Sequence, residues 1–176
     1  MLFDRFLKPK PAQAAGRALY AGAVVQARTT ELYQELAAPD TIEGRFELYS
    51  LHVFLLLDRL RRQGPQAADT AQALFDAYVQ ALDDALREIG VGDIVVGKKM
   101  RKLGEAFYGR VKSYEAAFDA LPDQAALEAL LARTIYAETD AAAVPRMASY
   151  VLAQREALAQ EPLDRLMGGE ADWRPM

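Results

Sequence analysis

The chain has no cysteine, which excludes disulfides, thiolate-bound zinc, iron–sulfur clusters and cysteine nucleophiles. Its single histidine, His52, leaves no second imidazole with which to share a haem iron or a metal ion. Long apolar runs are missing as well. The longest covers about ten residues, half of what a membrane-crossing helix requires. "MLFDRFLK" at the start carries an acid and lacks the apolar core of a cleavable signal, so a soluble chain is expected. β-branched runs are scarce, and the one strand-like stretch, "DIVVG" at 93–97, is too short to build a sheet. Charge of one sign is not in excess either. A net charge of −4 over 176 residues supplies no global field to hold the chain on DNA or RNA.

What the chain does have is apolar content of 52%, enough for a core, and a predominance of Ala, Leu, Gln, Glu and Arg, which favours helix. The expected fold is all-α, a single compact bundle of about seven helices. Residues 1–17 read as a flexible N-terminal segment broken by Pro9 and Pro11. In it Leu2, Phe3, Phe6 and Leu7 would share one face of a short amphipathic piece, a toe-hold on a membrane surface. The domain proper is expected over 18–160. Two short helices are expected to point Leu19, Tyr20, Val24, Tyr33 and Leu36 inward. Asp40, with Glu43 three residues on, reads as an N-cap, and the helix it opens runs to Gln63, stopped by Gly64-Pro65. Asp69-x-x-Gln72 repeats the signature, before a helix that carries Leu74, Tyr78, Leu82 and Leu86 and ends at Gly90. Met100, Leu103, Phe107, Val111, Tyr114, Phe118 and Leu121 recur every three or four residues on the next helix. Pro122-Asp123 opens another, and a last long helix spans roughly 143–159. The acidic tail 161–176 is expected to fray after Met167.

Few residues offer chemistry. Ser50, Ser113 and Ser149 lie inside expected helices with no nucleophile elbow. Asp83 and Asp84 are adjacent, so on a helix they diverge by about 100° and read as a solvated face. "GVGDIVVGKKM" places glycines and two lysines at a helix start, yet matches neither phosphate-binding pattern, and glycine there serves a tight connection. His52 has Arg45 and Arg59 seven residues to either side, nearly on the same face, with Leu48 and Leu55 between them. No carboxylate stands one turn from it, so a hydrogen-bonded structural histidine is the plainer reading, and a haem-handling role the sharper one. No catalytic residue, metal site or cofactor is expected. Residues 98–112 hold Lys98, Lys99, Arg101, Lys102, Arg110 and Lys112 against Glu105 alone. This basic face suits anionic lipid headgroups, ribosomal RNA or an acidic partner, unless the acids of 69–88 neutralise it. A helix-turn-helix is excluded because the side chains that read base edges are missing, so DNA is not an expected partner.

Several linked blocks carry a resemblance. Tyr33, Pro39-Asp40-Thr41, Gly44-Arg45-Phe46, Leu51-His52, "REIGVGD" and "FYGR" followed by Tyr114 stand in an order and spacing similar to those of the ubiquinol–cytochrome c chaperone family, over residues 18–136. Gly97 occupies a place where many relatives have proline. The resemblance implies a non-enzymatic assembly chaperone of the cytochrome bc complex that holds newly made cytochrome b. It also implies contact with a ribosome or a small partner protein. Without a mitochondrial presequence, the expected location is the bacterial cytoplasm at the inner face of the inner membrane. On this reading Arg45, Leu48, His52, Leu55 and Arg59 line a client-binding surface, with Lys98, Lys99, Arg101, Lys102 and Arg110 as its basic rim. Phe46, Val53, Leu57 and Leu60 would then face the core.

Overall fold

The computed structural model describes residues 11–139 and 141–175, which are helical with no strand among them. The helices are α1 Pro11–Ala27, α2 Thr30–Gln34, α3 Ile42–Leu60, α4 Pro65–Glu88, α5 Asp93–Asp119, α6 Ala125–Arg133, α7 Val144–Gln160 and α8 Leu163–Met167, with a 3₁₀ turn Ala141–Ala143 before α7. Among the described residues there is one α-helix more than the expected seven, because α8 is a single turn too short for periodicity to reveal. The toe-hold residues Leu2, Phe3, Phe6 and Leu7 lie outside the described residues.

Helix α3 is the axle. Leu51 to Leu56 are all buried, so six successive residues face the interior on every side, as happens when a helix is surrounded by others. Its cap is Thr41 rather than the expected Asp40: the Thr41 hydroxyl accepts from the Gly44 amide at 3.0 Å. Asp40 instead pairs with Arg45 at the surface. The helix stops at Leu60, three residues early, as Arg61 turns extended and Arg62 takes a φ of +60°. Similarly, α4 begins at Pro65, before Asp69, because proline is pre-organised for the first helical turn.

Helix α1 also starts at a proline, so residues 11–17 are helix rather than a loose segment. Ala15, Leu19, Ala23 and Ala27 recur every fourth residue on its buried face. These small side chains let α1 approach α4 closely. A β-carbon on Gly16 would come within 2.4 Å of the Ala73 backbone, so only glycine fits the crossing. The remaining helices close the core from the other side. Phe54 of α3 stacks on Tyr114 of α5 and meets Phe118 at a tilt, and Leu127, Leu130 and Leu131 of α6 and Met147 and Val151 of α7 complete it.

One part of the molecule stands apart from that core. No residue from 79 to 95 is buried. The second half of α4 and the first half of α5, joined by Gly90-Val91-Gly92, form a helical arm whose apolar residues Leu82, Leu86 and Leu103 are only half covered. "DIVVG" is the first turn of α5 rather than a strand, and Gly97 lies inside that helix with nothing close to it.

Candidate functional site

An apolar groove of about 430 Å³ runs where the arm meets the start of α3. Ile42, Phe46 and Tyr49 line it from α3, Leu82, Leu86 and Ile89 from α4, and Leu103 from α5. Ile42 is 74% exposed and Ile89 64%. Large aliphatic side chains left this open within one lined groove mark a surface that gains by being covered. Polar groups frame it. Arg45 reaches Asp40 at 2.6 Å across the surface. Glu47 takes two bonds from Arg110, at 2.7 and 2.9 Å, in a bidentate pair.

The basic face of α5 borders the same arm. Lys98, Lys99, Arg101 and Lys102 are exposed and have no acidic partner among the described residues. Arg110 departs from the expected rim: its bond to Glu47 turns the guanidinium inward and makes it a structural cation. No ion pair joins an acid of α4 to these lysines among the described residues: Asp83 pairs with Arg87 at 2.6 Å, while Asp76 and Asp84 accept from the amides of Gln72 and Gln80.

The helix face expected to receive a client points mainly the other way. Leu48, His52 and Leu55 are fully interior, while Arg45 is exposed at the groove. Arg59 is half-buried and donates to the carbonyls of Leu158 and Glu161 at 2.7 and 2.8 Å, tying α3 to the end of α7. Conversely Phe46, expected in the core, lines the groove. Periodicity separates one face from another but cannot say which face other helices will cover, and α7 and the tail cover this one.

His52 shows how completely. Its Nδ1–H donates to the Leu48 carbonyl at 2.8 Å, and its Nε2 accepts from the Tyr150 hydroxyl at 2.7 Å. The Tyr150 oxygen in turn accepts from the Gln26 amide at 2.9 Å. This assigns the neutral Nδ1–H tautomer, the only one that satisfies every donor and acceptor in the chain. Burial pushes the imidazole pKa down to about 4, since a charged ring would lose its hydration. Trp173 closes the site, its ring edge-on to His52 with centroids 5.2 Å apart. The expected fraying of the tail is therefore corrected. Gln154 brackets Arg174 with two bonds to its backbone, and Arg165 holds Glu170 and Asp172. Both ring nitrogens are engaged, so a haem iron could reach His52 only by breaking this network. Among the described residues no three His, Asp or Glu side chains gather as metal ligands.

Ile42 and Ile89 escaped notice in the sequence, while Leu82 and Leu86 were read only as part of the apolar stripe of their helix. The available signal was an isoleucine immediately inside a cap and another just before Gly90, places where polar residues are ordinary. The comparisons with known proteins agree with one another. The family described as ubiquinol-cytochrome C chaperone matches residues 34–173. Ubiquinol-cytochrome c reductase complex assembly factor 1 of Mus musculus is 25% identical over 161 residues, 90% of this chain and 54% of that protein. The Xenopus laevis protein of that name is 24% identical over 149 residues, 83% and 74%. The Homo sapiens one is 25% identical over 161 residues, 90% and 53%. This chain thus spans about half the length of the mouse and human relatives. The crystal structure of the Cbp3 homolog from Brucella abortus superposes with a TM-score of 0.85 at 36% identity, covering 99% of this chain and 95% of that one.

Proposed function

Because the chain belongs to the ubiquinol–cytochrome c chaperone family, we propose that it is a non-enzymatic assembly factor for ubiquinol–cytochrome c reductase, and that its client is newly made cytochrome b. The groove between α3 and the arm receives an apolar segment of that membrane subunit. The observation that carries this reading is the exposure of Ile42 and Ile89 within one apolar groove of about 430 Å³. A helix laid into such a groove gains affinity from buried aliphatic surface. Arg45 at the rim orients it, while Leu48, His52, Leu55 and Arg59 act indirectly, by fixing the helix that presents the groove. No helix among the described residues is long and apolar enough to cross a membrane. On this reading the chain works at the cytoplasmic face of the membrane.

The test is affinity capture from host membranes in mild detergent with a tagged chain, comparing wild type with Ile42→Asp/Ile89→Asp. Wild type should enrich cytochrome b over other membrane subunits, and the double variant should lose at least about tenfold while its helical circular dichroism and melting temperature stay unchanged. Equal capture by both would sink the groove.

The unpaired lysines and arginine of α5 favour a second reading, a ribosome or anionic-surface contact. Charge reversal to Glu at Lys98, Lys99, Arg101 and Lys102 should then abolish salt-sensitive ribosome co-sedimentation without touching client capture.

A further inference from the structure

Towards the other end of α3 from the groove, roughly 20 Å along the helix between their centres by its rise per residue, lies a second cavity of about 690 Å³. Arg59, Arg61, Arg62 and Arg155 line it, against the acids Asp58 and Glu156. Gln63 and the apolar Leu55, Leu121, Leu152 and Ala159 complete its wall. We infer that this cavity binds a phosphate-bearing anion, held between the guanidinium groups with any attached carbon chain against the leucines.

Three of the arginines are held in place by partners that use only part of their hydrogen-bonding capacity. Asp58 holds Arg61 at 3.0 Å and Arg155 at 3.1 Å, and Arg61 also reaches Glu115 at 2.6 Å. The Arg155 guanidinium lies over the Phe118 ring, 4.2 Å from its centroid. Arg59 is fixed through Nε and Nη2 to two carbonyls. Each guanidinium carries five N–H donors, so donors remain on every one, in the planar fork that suits phosphate oxygens.

Arg62 is the informative member. It is exposed, pairs with no acid among the described residues, and has a φ of +60°. That backbone region favours glycine or asparagine, which are the ordinary choices just past a helix end. A cation is welcome near the negative end of α3, but Arg59 and Arg61 already supply one there without a left-handed backbone. An arginine at a position where glycine would be more stable points to a use for its charge.

The sources of such a phosphate are a phospholipid headgroup or a soluble phosphate ester, and one set of measurements separates them. The full chain is floated with phosphatidylcholine vesicles lacking or containing phosphatidylglycerol, and separately titrated with inorganic phosphate by calorimetry. Flotation only with phosphatidylglycerol, unaffected by phosphate, assigns a lipid headgroup. Phosphate binding without flotation assigns a soluble ligand. Arg62→Gly should weaken whichever binding is seen by about tenfold, the loss of one charge-assisted contact, while the melting temperature stays level or rises. Arg62→Gln keeps the β-carbon and should show the same loss. No binding of either probe overturns the proposal. So does binding that survives both Arg62 variants, including binding that is lost only on charge reversal at Lys98, Lys99, Arg101 and Lys102.

Discussion

His52 and Tyr150 are 98 residues apart in the chain and meet through a 2.7 Å hydrogen bond in the interior. That bond joins α3 to α7. Through Gln26 and Trp173 it also brings in α1 and the C-terminal tail, so four segments meet at one polar chain inside an otherwise apolar core. The Leu48–His52–Tyr150–Gln26 chain is fully paired, while the Trp173 indole N–H beside it has no partner. A paired buried chain specifies one arrangement of its helices, because any shift would strand a donor or acceptor without water to replace it.

Removing the Tyr150 hydroxyl should therefore cost more than one ordinary hydrogen bond. Tyr150→Phe strands both His52 Nε2 and the Gln26 amide, and about 2 kcal/mol of stability is expected to go. Urea denaturation checks this. A change below about 0.5 kcal/mol would mean that water enters and replaces the hydroxyl.

Stability should also fall with pH through the titration of His52. The folded-state pKa is depressed to about 4 from 6.5, so the unfolded chain binds the proton first. The contribution is complete above pH 6.5, declines as pH falls through the window between the two values, and levels off below about 4. By pH 5 about 2 kcal/mol should be lost. Carboxylates titrate at the acid end too, so the slope between pH 7 and 5 is to be compared with that of His52→Gln. An identical slope in the variant would dissociate the effect from this residue.

Two ion pairs make a contrast. Glu47 is buried and held bidentately by Arg110, with side-chain exposures of 10% and 29%. Arg110→Ala leaves a carboxylate without its partner in a low-dielectric site, and about 2 kcal/mol of destabilisation is expected. A double-mutant cycle with Glu47→Gln would show strong coupling. Asp40 and Arg45 are both exposed, and Arg45→Gln should leave the denaturation midpoint where it is.

Gly16 and Gly44 test backbone contact. A β-carbon on Gly44 would sit 2.1 Å from the Pro39 carbonyl, and one on Gly16 would press on Ala73 and Leu74. Either change to alanine forces helices or turn apart and should cost about 2–3 kcal/mol. Gly22→Ala, with its nearest neighbour at 4.0 Å, is the matched substitution in α1 and should be neutral or slightly stabilising. Equal melting temperatures for all three would refute the close crossing.

Much of the local structure could be read from residues next to one another. The helix breaks at Gly64-Pro65 and at Gly90 follow from backbone freedom and a missing amide proton, and the stripe through Phe107, Tyr114 and Phe118 follows from a period of 3.6 residues. The order of the blocks from Tyr33 to Tyr114 was enough to indicate the family. The boundaries moved where two local devices competed. Thr41 rather than Asp40 caps α3 because only its hydroxyl meets the Gly44 amide, and α1 and α4 each start at a proline that also reads as a breaker.

Which face of α3 is inside was decided by the tertiary structure alone. Arg45, His52 and Arg59 share a face by spacing, yet α7 and the tail bury His52, and Phe46 on another side becomes part of a groove. A helix that is apolar nearly all round carries no internal mark of which side its neighbours will cover. The same holds for the tail, which as a sequence is acidic and unpatterned. It is ordered because Trp173 finds His52, and that contact exists only once α3, α7 and α1 have come together.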